Sequence, residues 1–176
     1  MYPLKFEDIL RPIIWGGEEI SRFKQLPEIH PGVGESWEIS QVGDRVSVVS
    51  EGADKGKNLT ELIKRDGAAL LGKHVAERYG EKFPLLIKFI DAHDNLSIQV
   101  HPNDEVAMAR HNSFGKTEMW YVIDAKPGAG LYSGFSQQIT PEEYVERIKN
   151  NTITDVLQFH QVKSGDVFFL PAGALP

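Results

Sequence analysis

The chain contains no cysteine, which excludes a disulfide framework and any thiolate-based zinc site. A metal, if bound, must be held by nitrogen and oxygen donors. Long apolar runs are missing too: no stretch approaches the roughly 18 residues of a membrane-spanning helix. The N-terminus, MYPLKFEDILRP, has no apolar core of signal-peptide length. The expectation is a cytoplasmic protein with no membrane partner. Positive charge is in short supply, with 19 Lys and Arg against 25 Asp and Glu and a net charge of -6. That balance leaves no basic footprint for nucleic acid. It does not argue against a small anionic substrate, which a few local Lys and Arg residues can hold.

What is present points to one globular domain over residues 1–176. The length allows a real core. A 41% hydrophobic and 25% charged composition, with 16 Gly and 10 Pro, fits a turn-rich soluble protein. Short strand-like runs dominate: Val46–Val49, Leu85–Ile90, Leu96–Val100, Glu118–Ile123, Phe159–Val162 and Val167–Leu170, with SWEIS at 36–40 similar. They are β-branched or aromatic and bounded by Gly, Pro, Asp or Asn, which suggests a β-sandwich or barrel. Three helical stretches interrupt them. Asn58 and Glu61 form a capping-box pattern ahead of a helix broken near Gly67. Pro102 opens PNDEVAMAR, with acids in its first turn. Thr140-Pro141-Glu142-Glu143 combines a cap, an N1 proline and a capping-box Glu.

Chemistry concentrates in LSIQVHP and GKTEMWY. In a strand, residues two apart share a face, so Ser97, Gln99 and His101 would project together, with Pro102 ending the strand. Glu118 opens another strand-like run and could approach from a neighbouring strand. One imidazole, one carboxylate and one amide oxygen suit Zn, Fe, Mn or Co. On spacing alone, the same residues more often describe a hydrogen-bonded core or rim histidine and a solvated glutamate.

The stretch FPLLIKFIDAHDNLSIQVHPNDEVA, followed by GKTEMWYVIDAKPGAGLYSGF, resembles the type I mannose-6-phosphate isomerases. GESWEIS and GDVFFLPAG resemble the same family's flanking blocks. The resemblance implies a mainly β, cupin-type jelly roll with a few inserted helices and one bound zinc. It implies Gln99, His101 and Glu118 as metal ligands, with a further histidine after the Pro-x-Gly turn. At that place this sequence has Pro176, which offers no ligand. The family also continues beyond this point to an arginine acting on the substrate. The expectation is therefore the N-terminal part of a longer protein, with weakened metal binding.

The implied reaction interconverts mannose 6-phosphate and fructose 6-phosphate by moving a proton between C1 and C2 through an enediol. A zinc Lewis acid would stabilise the developing oxyanion, and a nearby base would carry the proton. The resemblance makes Lys116 the candidate for acid/base assistance, with His101 also placed at ring opening. It puts Lys88 and Ser97 at the sugar phosphate. Lys88 lies in the apolar run PLLIKFI, where a buried ammonium needs a partner. The second reading is a non-catalytic cupin that binds a sugar or sugar phosphate with an incomplete metal site. An iron-dependent cupin oxygenase is poorly supported, because Gln99 stands where its facial pair would need histidine. Monomer and homodimer both remain open.

Overall fold

The structure is a computed structural model that describes residues 2–174. Leu175 and Pro176, where the missing ligand was expected, lie outside the described residues. The chain divides into two compact units, Met1–Leu96 and Ser97–Pro176.

The first unit is built on an antiparallel sheet of β1 (Ile9–Gly17), β2 (Val33–Ile39) and, further along the chain, β5 (Ile87–Ile90), in the order β1-β2-β5. Between β1 and β2 sits the short helix α1 (Glu19–Phe23). A hairpin of β3 (Gln41–Val42) and β4 (Arg45–Val46) follows β2. Three helical pieces come next, α2 (Leu59–Asp66), α3 (Ala68–Leu71) and α4 (Lys73–Tyr79), and then β5 (Ile87–Ile90). The capping box at α2 is complete: Asn58 Oδ1 accepts from the Glu61 amide at 3.0 Å, and Glu61 Oε2 accepts from the Asn58 amide at 2.8 Å. The helix breaks at Gly67, whose φ of +50° is a left-handed value that a side chain resists. Leu59, Leu62 and Ile63 of α2 are buried, as are Val33 and Val49. The sequence reading missed β1. Its Pro12 cannot donate to a ladder and sits where the β1–β2 register shifts.

The second unit contains α5 (Asp104–His111), β6 (Glu118–Tyr121), β7 (Gly130–Phe135), α6 (Pro141–Lys149), β8 (Leu157–Gln161) and β9 (Val167–Leu170). β6 pairs antiparallel with β9 and β7 with β8. Asn103 caps α5 and Thr140 caps α6, each accepting from the amide three residues on. A 3-10 turn over Ile153–Val156 leads into β8. Ile153, Val156 and Leu157 form a core on which Ile98, Tyr132, Ile139 and Tyr144 pack.

Two expected strands fail: Val46–Val49, where β4 ends at Val46 and Val48 and Val49 make only isolated bridges, and Leu96–Val100. Ile98 is drawn onto the Ile153–Leu157 core, while Ser97, Gln99 and Val100 stay exposed, so side-chain packing rather than a ladder fixes this segment. β6 also starts at Glu118, which leaves Lys116 in the preceding loop rather than on a strand. Among the described residues, no helix is long and apolar enough to cross a membrane.

Candidate functional site

Three of the expected residues meet in the second unit. The β6–β9 register pairs Glu118 with Leu170, a buried residue that fixes the start of β6. His101 is held by its backbone, its carbonyl accepting from the Gly173 amide of the Pro-Ala-Gly turn at 2.8 Å. Lys116 is tied nearby, its amide donating to the Pro102 carbonyl at 3.1 Å. The side chains converge on these anchors. Lys116 Nζ lies 3.0 Å from Glu118 Oε1 and 3.1 Å from His101 Nε2. His101 Nε2 and Glu118 Oε2 are 3.4 Å apart. Glu118 and His101 are mostly covered, with side-chain exposures of 13% and 21%, while Lys116 is 41% exposed.

Gln99 is paired differently. Its amide nitrogen donates to Ser97 Oγ at 2.9 Å in an exposed position. The two residues thus share a side, as their spacing suggested, and the bond leaves the Gln99 carbonyl oxygen as the atom that could face a cation. Among the described residues, no group of three or more His, Cys, Asp or Glu side chains gathers as a metal site. A metal here would rest on one imidazole and one carboxylate, with the Gln99 amide as third donor. The pair that is present has a spacing that one divalent ion could span. Bonds of about 2.0–2.1 Å at a tetrahedral angle hold two donor atoms about 3.3 Å apart, close to the 3.4 Å between His101 Nε2 and Glu118 Oε2.

Lys88 belongs to the first unit, on β5 opposite Trp37 of β2. Its ammonium is 2.6 Å from Glu35 Oε1, with side-chain exposures of 18% and 11%. The expected partner for a buried ammonium is thus a carboxylate of the protein itself. Glu35 also accepts from Trp37 Nε1 at 2.8 Å and lies 3.9 Å from Arg11. Burial pushes the Glu35 carboxyl up, but the bonds from Lys88 and Trp37 and the charges of Lys88 and Arg11 outweigh it, leaving it below the usual glutamate value. The opposite face of β2 carries a second cluster, in which Lys24 Nζ meets Glu38 at 2.6 Å and Ser36 Oγ at 3.3 Å. Sequence reasoning missed Glu35, Arg11 and Lys24. The signal was the i, i+2 spacing of Glu35 with Trp37 and of Ser36 with Glu38 inside GESWEIS, which sorts the polar groups onto the two faces of one strand. Trp37 is core, 6% exposed.

The chain has clear relatives. Residues 4–131 match the family model for the phosphomannose isomerase type I catalytic domain. It is 36% identical to the mannose-6-phosphate isomerase ManA of Bacillus subtilis (strain 168), over 98% of this chain and 53% of that protein. It is 35% identical to the mannose-6-phosphate isomerase of Streptococcus mutans, over 98% of this chain and 53% of the relative. The crystal structure of the mannose 6-phosphate isomerase from Bacillus subtilis superposes with a TM-score of 0.88 at 31% identity, covering 99% of this chain and 54% of that one. The chain spans about half the length of the curated relatives it matches. The mainly β architecture is accordingly that of the cupin-type isomerases. By sequence and by fold, the chain belongs to the type I phosphomannose isomerase family.

Proposed function

We propose that this chain carries the metal-binding part of a metal-dependent aldose-ketose isomerase acting on mannose 6-phosphate and fructose 6-phosphate. The observation that carries the reading is the convergence of His101, Lys116 and Glu118 within 3.0–3.4 Å of one another in a chain of this family. Both units are proposed to serve one catalytic domain, since the matched residues 4–131 run across the boundary at Leu96. The substrate would be a sugar phosphate in the cytoplasm, with the protein acting as monomer or homodimer.

His101 Nε2, Glu118 and the Gln99 carbonyl oxygen are the atoms that would hold the metal, zinc by the fit of the 3.4 Å donor spacing. When bound, such an ion supplies Lewis-acid stabilisation of oxyanion charge. The chain's own groups do the rest. Lys116 has an ammonium that reaches the mouth of this cluster and is the group able to hold or pass a proton beside C1 and C2. Ser97 fixes the Gln99 amide through Oγ, and its hydroxyl can still donate to a sugar oxygen. In the first unit, the charge of Lys88 is already shared with Glu35.

The test is a coupled isomerase assay on the 176-residue chain with mannose 6-phosphate and added zinc, then chelator. Zinc-dependent turnover supports the assignment. Folded protein without turnover would move the reading to a sugar-phosphate-binding cupin. In the same samples, Glu118→Gln should lose bound metal and Lys116→Ala should keep it. Unchanged metal and turnover in both would place the site elsewhere.

A further inference from the structure

The cluster is carried by separate stretches of chain that meet at one junction. His101 opens the stretch 101–104, which runs into α5, and Glu118 closes the stretch 115–118. The third member is the turn 171–174 after β9, closed by its own bond from the Ala174 amide to the Pro171 carbonyl at 2.9 Å. Each pair of the three is joined. The Lys116 amide donates to the Pro102 carbonyl at 3.1 Å, and the Gly115 amide donates to Asp104 Oδ1 at 2.8 Å. The Gly173 amide ties the turn to the His101 carbonyl at 2.8 Å. The preceding amide, that of Ala172, ties the turn to Thr117 Oγ1 at 3.3 Å. Segments bonded pairwise make a closed triangle, in which none can turn about another without breaking a bond. Gly115 shows how tightly one side is drawn. A Cβ there would lie 2.5 Å from the Asn103 carbonyl carbon and 2.6 Å from both the Asp104 nitrogen and the Pro102 oxygen. All three are backbone atoms, so no flexible side chain can give way.

We propose that Gly115 and Thr117 are positioning residues: through this junction they set the distance between His101 and Glu118, and with it the metal affinity of the site. The inference rests on the metal-site reading above and adds the residues that hold its spacing. Gly115 acts by letting two backbones approach, and Thr117 by linking the loop before β6 to the turn after β9. Neither is a ligand in this reading. Gly115 has no side chain, and Thr117 Oγ1 is engaged by the Ala172 amide. Small displacements matter here, because metal–ligand bonds hold their lengths to about 0.2 Å. Real Cβ atoms do not come within 3.0 Å of such neighbours, so alanine at position 115 must push the two stretches apart.

The experiment measures Zn²⁺ affinity by chelator competition on the full chain, together with the visible spectrum of Co²⁺ bound in place of zinc. The variants are Gly115→Ala, Thr117→Val, Thr117→Ser and Glu118→Gln, with urea unfolding as the check on folding. Valine has the shape of threonine without the acceptor, and serine restores the acceptor alone. Thr117→Val should bind Zn²⁺ about threefold to tenfold more weakly than wild type, the range that one ordinary hydrogen bond covers. Thr117→Ser should recover the wild-type affinity. Gly115→Ala should bind at least about tenfold more weakly and shift the Co²⁺ bands, which report ligand geometry rather than stability. Glu118→Gln, which alters a ligand, should lose most of the binding.

If Gly115→Ala and Thr117→Val bind Zn²⁺ as wild type does while Glu118→Gln loses it, the positioning roles fail and the metal site stands. If wild type binds no better than Glu118→Gln, the metal-site reading falls and this inference with it. Weaker binding by Gly115→Ala with unchanged Co²⁺ bands would mark a merely structural glycine and overturn its role. Should Gly115→Ala fail to fold, the Thr117 pair decides alone, and equal affinity in the valine and serine variants overturns the proposal.

Discussion

Among single residues, Lys88 shows how one side chain can be read two ways. The apolar run around it announced a buried ammonium, and the sequence supplied the demand for a partner without identifying it. The partner, Glu35, is far away in the chain and meets Lys88 only because β2 and β5 pair. Lys88→Met leaves the Glu35 carboxylate covered, with Trp37 Nε1 and the more distant Arg11. It should cost about 3 kcal/mol, the lower end of what breaking a buried pair costs. Glu35→Met added to Lys88→Met should recover most of that, and urea unfolding measures both. Asp54 gives a pH signature. Hydrogen bonds from Arg65 and Lys57 hold its carboxyl well below the ordinary 3.8, against the opposing effect of burial. In the range where the unfolded chain has taken up a proton, the folded chain has not. The stabilisation is therefore complete above about pH 3.8 and is lost as pH falls toward the folded value. The melting difference between wild type and Asp54→Asn should be constant near neutrality and shrink below about pH 4.

At the scale of elements, legibility followed how local the cause was. The three helical stretches read from the sequence were visible because their start signals lie within four residues. The Asn58 box and the Thr140 cap are formed, while the helix assigned to start at Pro102 starts at Asp104 behind an Asn103 cap, and the short α1 was missed. Asn58→Ala should destabilise the first unit by about 1 kcal/mol, seen in its urea midpoint. The strands divide differently. β9 matches its sequence bounds, β5 and β6 differ from theirs by two residues at one end, and β8 is shifted at both ends by one to two residues, since β-branched and aromatic runs mark a pleated, half-covered surface. β1 and β7 were missed because proline and glycine dilute their patterns, Pro12 in one and Gly130 with Gly134 in the other. Leu96–Val100 had the right composition and no ladder to join. A strand needs a neighbour, and the neighbour is decided elsewhere in the chain.

For the whole molecule, the family was legible because the motifs are dense, and the same motifs singled out His101, Lys116 and Glu118, whose side chains lie within 3.0–3.4 Å of one another. The Lys116 bridge was not, since spacing gives no distance between a loop lysine and a carboxylate two residues on. The long-range pairings that build that bridge also carry a consequence in time. Glu118 is aligned by Leu170 and His101 by Gly173, with β7, α6 and β8 lying between β6 and β9 in the chain. Closing so large a loop loses entropy before any contact compensates. A nascent chain therefore exposes His101 and Glu118 long before the strand and turn that aim them have been translated. The His101–Lys116–Glu118 cluster is thus among the last features of the second unit to assemble.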